Sequence, residues 1–328
     1  MKRIISIIFA AFVLSLVPVT YVCAQTVDNL RPPTKPGKPT TPPKKKPTKK
    51  KWQKQEDFFE GLASVEDANG KYGFIDKTGK VVIPCQWEWT WRFSEGFAFV
   101  KDANGMYGYI DKTGKVVIPC QWKDAGSFQE GLAEVKDANG RYGFIDKTGK
   151  VVIPCQWNDT GWFYEGLASV KDANGRNGFI DKTGKVVIPC QWNDTKWFGD
   201  GLAPVCGANG KWGFIDKTGK VVLPCQWNDS GAFFEGLASV KDGNGMHGYI
   251  DKTGKVVIPC QWKSVGRFSE GLAPACGANG KYGYIDKTGK VVLPYKWEWA
   301  FPFYEGQAEV EDSYGNKHKI NKAGKIVE

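Results

Sequence analysis

YGFIDKTGKVVIP, residues 72–84, reads as two β-strands and the reversal between them. Tyr72 to Asp76 combines aromatic and β-branched residues, and Lys77-Thr78-Gly79 is a three-residue loop with glycine last, which suits a type I turn followed by a bulge. Lys80 to Ile83 is a second extended run, expected to stop near Pro84 because proline has no backbone donor. Upstream, Gly61 to Glu66 (GLASVE) makes another strand, and Asp67-Ala68-Asn69-Gly70 is a hairpin turn whose Asn-Gly pair tolerates positive φ. Three strands joined by two tight turns predict an antiparallel meander.

This unit returns every 35 residues without an insertion, with Gly61, Gly96, Gly131, Gly166, Gly201, Gly236, Gly271 and Gly306 in phase. Such a period marks a repeat architecture. No window of the array sustains helical periodicity, so the fold class is all-β. A three-stranded unit cannot bury both of its faces alone, and Phe74, Ile75, Val81, Ile83, Trp87 and Phe93 are expected to pack against neighbouring units. The expected architecture is a tandem array of eight three-stranded units in an open, solenoid-like superhelix. The alternative is a closed eight-bladed, propeller-like ring. Propeller blades usually hold four strands in about 40 to 50 residues, so the period leaves a unit one strand short. The array also begins before a first strand and ends at Ile326-Val327 inside a third, so that no unit is split between its ends.

The linked motifs, Tyr72 to Pro84 together with the Phe59 to Ala63 segment (FEGLA) and its counterpart in every unit, resemble the WG repeat family. The Trp-Gly pair is intact at Trp212-Gly213, while Tyr72, Tyr107, Tyr142, Tyr282, Asn177, His247 and Lys317 replace the tryptophan elsewhere. The family is widespread in bacteria, and the resemblance implies a binding or scaffold module.

The flanks have a different composition. Lys2 and Arg3, the apolar run from Ile4 to Val17 and the segment ending at Ala24 have the order of a secretory signal peptide, cleaved after Ala24. The apolar run is shorter than the roughly 20 residues of a spanning helix. Export to the periplasm, the cell surface or the medium is expected. Residues 25–55 are rich in proline and lysine and read as a disordered linker, leaving 56–328 for the repeats. Of the net charge of +10, the signal carries +2 and the linker +9, which leaves −1 on the remaining 273 residues. That balance disfavours a nucleic-acid partner for the folded part. Lys44, Lys45, Lys46, Lys49, Lys50 and Lys51 read as a self-repelling spacer, or alternatively as an electrostatic tether to an anionic envelope surface.

Catalytic constellations are not visible. His247 and His318 are the two histidines, and neither has a nucleophile or carboxylate at a relay spacing. Phosphate-loop and zinc spacings are lacking, so no cofactor or metal is expected and the chain reads as a non-enzyme. The repeated Asp-Lys-Thr-Gly-Lys and Asp-Ala-Asn-Gly segments set one or two carboxylates beside a lysine, whereas calcium takes roughly six to eight oxygens. Turn chemistry is the expected role. Cys85, Cys120, Cys155, Cys190, Cys225 and Cys260 are in phase and read as buried thiols. Cys206 and Cys276 replace a charged residue and are the candidate disulfide residues, each pairing with a phased cysteine.

Variation concentrates between each Gln-Trp and the next Glu-Gly. Trp89, Trp91, Trp162, Trp197 and Trp299, with Asp159 and Asp194, are the candidate ligand-binding residues, either as a ridge for a protein or glycan partner or as covers for gaps between units. The functional expectation is an exported interaction scaffold, with carbohydrate binding at the cell envelope as the alternative.

Overall fold

A computed structural model describes residues 52–327. β1 (Lys54–Gln55), β2 (Leu62–Glu66), β3 (Tyr72–Asp76) and β4 (Val81–Trp87) form one antiparallel sheet in that order. β5 (Trp89–Thr90) follows β4 at once, yet it pairs with Phe97–Lys101 of the next unit. Each sheet therefore takes its first strand from the segment after the preceding Gln-Trp. Among the described residues the result is seven four-stranded sheets and a last one of three strands.

These sheets are the blades of an eight-bladed propeller ring, which corrects the expected open superhelix of three-stranded units. The missing strand is the two-residue piece lent by the neighbouring unit, and with strands of 2, 5, 5 and 7 residues a blade fits the short period. Contacts across the ring agree with closure. Lys319 Nζ of blade 8 lies 3.3 Å from Asp57 Oδ1 of blade 1, and Tyr164 acts electrostatically on both Arg92 and Arg267, which belong to distant blades. The short strands face the axis. The long strands form the outer rim, where Val116, Val151 and Val186 are exposed. β4 runs through Pro84 instead of stopping there, because an outermost strand needs no donor on its free side.

Lys54 and Gln55, expected in the linker, form the innermost strand of blade 1, so the folded part begins upstream of residue 56. Residues 1–24, Cys23 among them, and the lysines from Lys44 to Lys51 lie outside the described residues.

Packing between blades follows one plan. At the first seam Leu62, Phe74, Ile83 and Trp87 meet Phe93, Ala98, Val100 and Ile110 of blade 2. Phe74 and Phe93 pack edge to face with centroids 4.7 Å apart, and the pair recurs as Phe144–Phe163 at 4.9 Å and Tyr284–Phe303 at 4.8 Å. Such a pair contributes about 0.5–1.5 kcal/mol beyond its buried area.

The glycine after each aromatic is required by the sheet itself. A Cβ on Gly73 would sit 2.5 Å from Ile83 O and 2.7 Å from Cys85 N, since the bulged β4 crosses β3 closely there. His318 replaces that glycine in blade 8, where no outer strand covers the position among the described residues.

The closing seam is of another kind. Gln307 and Lys319 stand where blade 1 has Leu62 and Phe74, and the Ala63, Val65 and Ile75 face of blade 1 is covered by Trp52 and Phe58. An exposed ion pair such as Lys319–Asp57 contributes about 1 kcal/mol or less. Phe144→Ala, at an apolar seam, is expected to lower the unfolding free energy by about 3–5 kcal/mol. Lys319→Ala should lower it by no more than about 1 kcal/mol. Urea denaturation of both variants checks the contrast, and equal losses would contradict it.

Candidate functional site

Each inner strand returns to its partner through a tight corner. Glu60 (φ 50°) and Gly61 (φ 90°) form the first, with Phe59 bridged to Leu62. A left-handed conformation is strained for a glutamate, yet it or Asp200 occupies this position in all eight corners. The carboxylate explains it. Glu60 Oε2 accepts from Gly96 N at 3.1 Å and from Lys112 Nζ at 3.0 Å, clasping its corner to the next blade. The clasp recurs up to Glu270 and Lys322, except that at the shorter Asp200 the carboxylate accepts from Gly236 N and Lys252 donates to the Asp200 backbone carbonyl; among the described residues Glu305, φ 50°, makes none to blade 1.

These clasps hold the residues flanking the corner phenylalanine at one end of the axis. The position before it holds Asp57, Arg92, Ser127, Trp162, Trp197, Ala232, Arg267 or Pro302, and the position after it holds Phe59, Tyr164, Phe234 or Tyr304 in four corners. Arg92 Cζ lies 4.3 Å from the Phe59 ring centroid, and Arg267 Cζ lies 4.6 Å from that of Phe234. Burial pushes both guanidinium groups below their usual value, opposed at Arg92 by the phenols of Tyr164 and Tyr304 and at Arg267 by that of Tyr164. Burial likewise raises the Tyr164 phenol, and Arg267 and Arg92 oppose the rise. Cations and phenols from blades far apart in sequence thus share one environment.

The expected tryptophan ridge is divided by this geometry. Trp162 and Trp197 share the repeat position of Arg92 and Arg267, and Trp197 lies 6.1 Å from Tyr164. Trp89 and Trp91 stack on each other at 5.7 Å and pack into blade 2 with Phe99 and Tyr107, a gap-covering role. Trp299 is 48% exposed and rests against Tyr282 at 5.0 Å, away from the corners on an inner strand. Asp159 and Asp194 also lie in inner strands, where each accepts from the backbone N–H of the following residue. Nearby Asn158 is spent on the seam, bonded by Arg141 of its own unit and donating to Asp172 O of the next.

Arg92, Arg267, Tyr164, Tyr304, Phe59 and Phe234 were not among the sequence candidates. Their signal was available, because the two arginines occupy one repeat position and each follows a corner carrying phenylalanine. It was hidden because the variable segments were read through their tryptophans, as a ridge or as covers for gaps between units.

The remaining candidates have structural roles. Asp76 accepts from Thr78 Oγ1 at 2.6 Å and from Thr78 N and Lys80 N, and these bonds, the threonine hydroxyl first, hold its carboxyl below the usual range. No group of three or more His, Cys, Asp or Glu among the described residues is placed to hold a metal, and no helix among them is long and apolar enough to cross a membrane. His247 is half-buried, which lowers its pKa, and His318 Nε2 contacts Asp312 at 2.9 Å. The indole N–H of Trp87, Trp122 and Trp157 is buried without a protein acceptor among the described residues, whereas Trp262 donates to the Tyr295 hydroxyl, where tyrosine replaces the phased cysteine.

All eight described cysteines are free thiols, Cys206 and Cys276 buried. The structure therefore forms neither of the expected bridges. Burial raises the phased thiols, Cys120 to about 11, which suppresses thiolate at neutral pH. Thiol titration of the chain from Gln25 onward is expected to show little fast reaction in the native protein and eight thiols after unfolding without reductant. Fewer than eight would show that bridges form.

A family description, "WG containing repeat", matches residues 72–105, 107–141, 142–175, 178–212, 212–245, 248–282 and 282–312. The chain belongs to the WG repeat family. Among solved structures, this WG repeat protein is similar to the computationally designed protein Ika8, with 12% identity, 81% of this chain and 94% of that one covered, and a TM-score of 0.51. That likeness concerns the fold. BamB from Moraxella catarrhalis matches at 11% identity over 80% of this chain and 94% of its own, with a TM-score of 0.48. A comparison with curated proteins gave no match.

Proposed function

We propose that this WG repeat protein is an exported, non-enzymatic bacterial scaffold that binds a partner at the cornered end of its axis. The observation that carries the reading is the contrast at the corners. Phe93, Glu95 and Gly96 have near-identical counterparts in every unit, while the residue before the phenylalanine is arginine, serine, tryptophan, alanine, proline or aspartate. A fixed frame that varies the chemistry of one converging ring of side chains is the arrangement a recognition surface needs. The export reading rests on the charge and apolar order of residues 1–24. Carbohydrate binding at the envelope is the second reading, favoured by Trp162 and Trp197 at that end.

Affinity capture from a bacterial envelope extract, using the chain from Gln25 onward, tests the proposal. The expected result is a retained protein or glycan that is lost when Trp162→Ala and Trp197→Ala are combined. Equal retention by the variant, or retention by residues 25–51 alone, would contradict it.

A further inference from the structure

We propose that Asn69 and Asn244, in the turns between the second and third strands of blades 1 and 6, are sites of spontaneous modification, where the side-chain amide is converted to a mixture of isoaspartate and aspartate. The proposal goes beyond the binding reading and does not depend on it. Seven of the eight blades carry an Asn-Gly pair in this turn, the eighth having Tyr314-Gly315. In each pair the glycine has a positive φ, 75° at Gly70 and 82° at Gly245, and it has no side chain to shield its nitrogen from the asparagine before it. The conversion needs only solvent. A base in the solvent takes the Gly70 amide proton as that nitrogen attacks Asn69 Cγ, the new N–C bond closes a cyclic imide, and Nδ2 leaves as ammonia. Water then opens the imide at either carbonyl. The sum is one water consumed and one ammonia released, with no oxidant or reductant.

The bonds around each amide select among the seven. Asn69, Asn209 and Asn279 share the sequence Ala-Asn-Gly-Lys and all three are exposed, so neither neighbours nor exposure separates them. The acid at the start of the turn does. In blade 1 Asp67 Oδ1 accepts from Asn69 N and Lys71 N, both at 2.9 Å, and the Asn69 side chain is left without a hydrogen bond among the described residues. Asn244 is in the same state, since Asp242 Oδ1 accepts from Asn244 N and Met246 N. In blades 5 and 7 glycine stands in place of the acid, at Gly207 and Gly277, and the asparagine takes over its role. Asn209 Oδ1 accepts from Lys211 N at 3.0 Å while its Nδ2 donates to Cys225 O at 3.1 Å. Asn279 is bonded to Lys281 N at 3.1 Å and to Tyr295 O at 3.2 Å in the same way. An amide held at both ends must break two bonds before its carbon can turn to the glycine nitrogen. Asn104, Asn139 and Asn174 are intermediate, donating to their aspartates at 3.3, 3.4 and 3.5 Å. The attacking N–H is restrained alike in both classes, Gly70 N donating to Asp67 O at 3.1 Å and Gly210 N to Gly207 O at 3.0 Å, so it does not set the order.

Incubation of the chain from Gln25 onward in mildly alkaline buffer, native and in denaturant, tests the proposal, with peptide mapping that separates the isomers at each asparagine. Asn69, Asn209, Asn244 and Asn279 fall in tryptic peptides of different sequence. In the native protein Asn69 and Asn244 are expected to convert about tenfold or more faster than Asn209 and Asn279, the factor that two hydrogen bonds of ordinary strength impose on a rate. In denaturant the three Ala-Asn-Gly-Lys sites should convert at one rate. Gly207→Asp, which restores the acid of blade 1, is expected to raise conversion at Asn209 towards that of Asn69. Equal native rates, the same order in denaturant, a product without isoaspartate, or no rise in Gly207→Asp overturns the proposal. The comparison of native with unfolded protein uses the unaltered chain and so stands even if the variant fails to fold.

Discussion

The seam between neighbouring blades governs the rest of this molecule. A blade of four short strands has two apolar faces and cannot cover either by itself. Its stability comes from inserting the Phe74-type ring and the Ile83-type side chain against the Phe93-type ring and the strands of the next blade. Gly114 shows how close the approach is, since a Cβ there would lie 3.1 Å from Ile83 Cγ2 of the preceding blade. Because the same seam is made seven times, a fixed unit length is a packing requirement: an inserted residue would displace every contact downstream. The eighth seam departs from the rule. Lys319 takes the place of the aromatic, and the clasp that Glu270 makes to Lys322 has no counterpart from Glu305 among the described residues.

Much of the blade was legible in the sequence because its signals are local. Asn69-Gly70 and Lys77-Thr78-Gly79 fix two turns, and the residues between them alternate or branch as strands do. The fourth strand was not legible. Trp89–Thr90, Asp124–Ala125 and Ser264–Val265 have no composition in common, because two residues joined through their backbones need none. Closure was hidden for a related reason. Gln307 and Lys319 give the last unit a polar outer face, the same feature that ends an open array.

The cornered end of the ring was half legible. Trp162 and Trp197 could be singled out as large side chains in a variable segment, and the structure sets them at the corner position. Arg92 and Arg267 carry the same positional signal, but their meaning depends on closure, since only a ring brings them to a common phenol. Trp89 and Trp91 looked equivalent to the others in sequence and instead fill blade 2, because their neighbours Phe99 and Tyr107 are large aromatics that offer a packing surface. The strained Glu60-Gly61 corners connect both levels: the clasp that stabilises a seam also fixes where the variable side chains converge.

Closure is therefore the central claim, and small-angle X-ray scattering of residues 52–328 tests it most directly. A closed ring predicts a radius of gyration near that of a compact domain of this length, about 19 Å. A clearly larger radius, with the extended distance distribution of a curved open array, would contradict closure and with it the electrostatic proximity of Arg92, Tyr164 and Arg267.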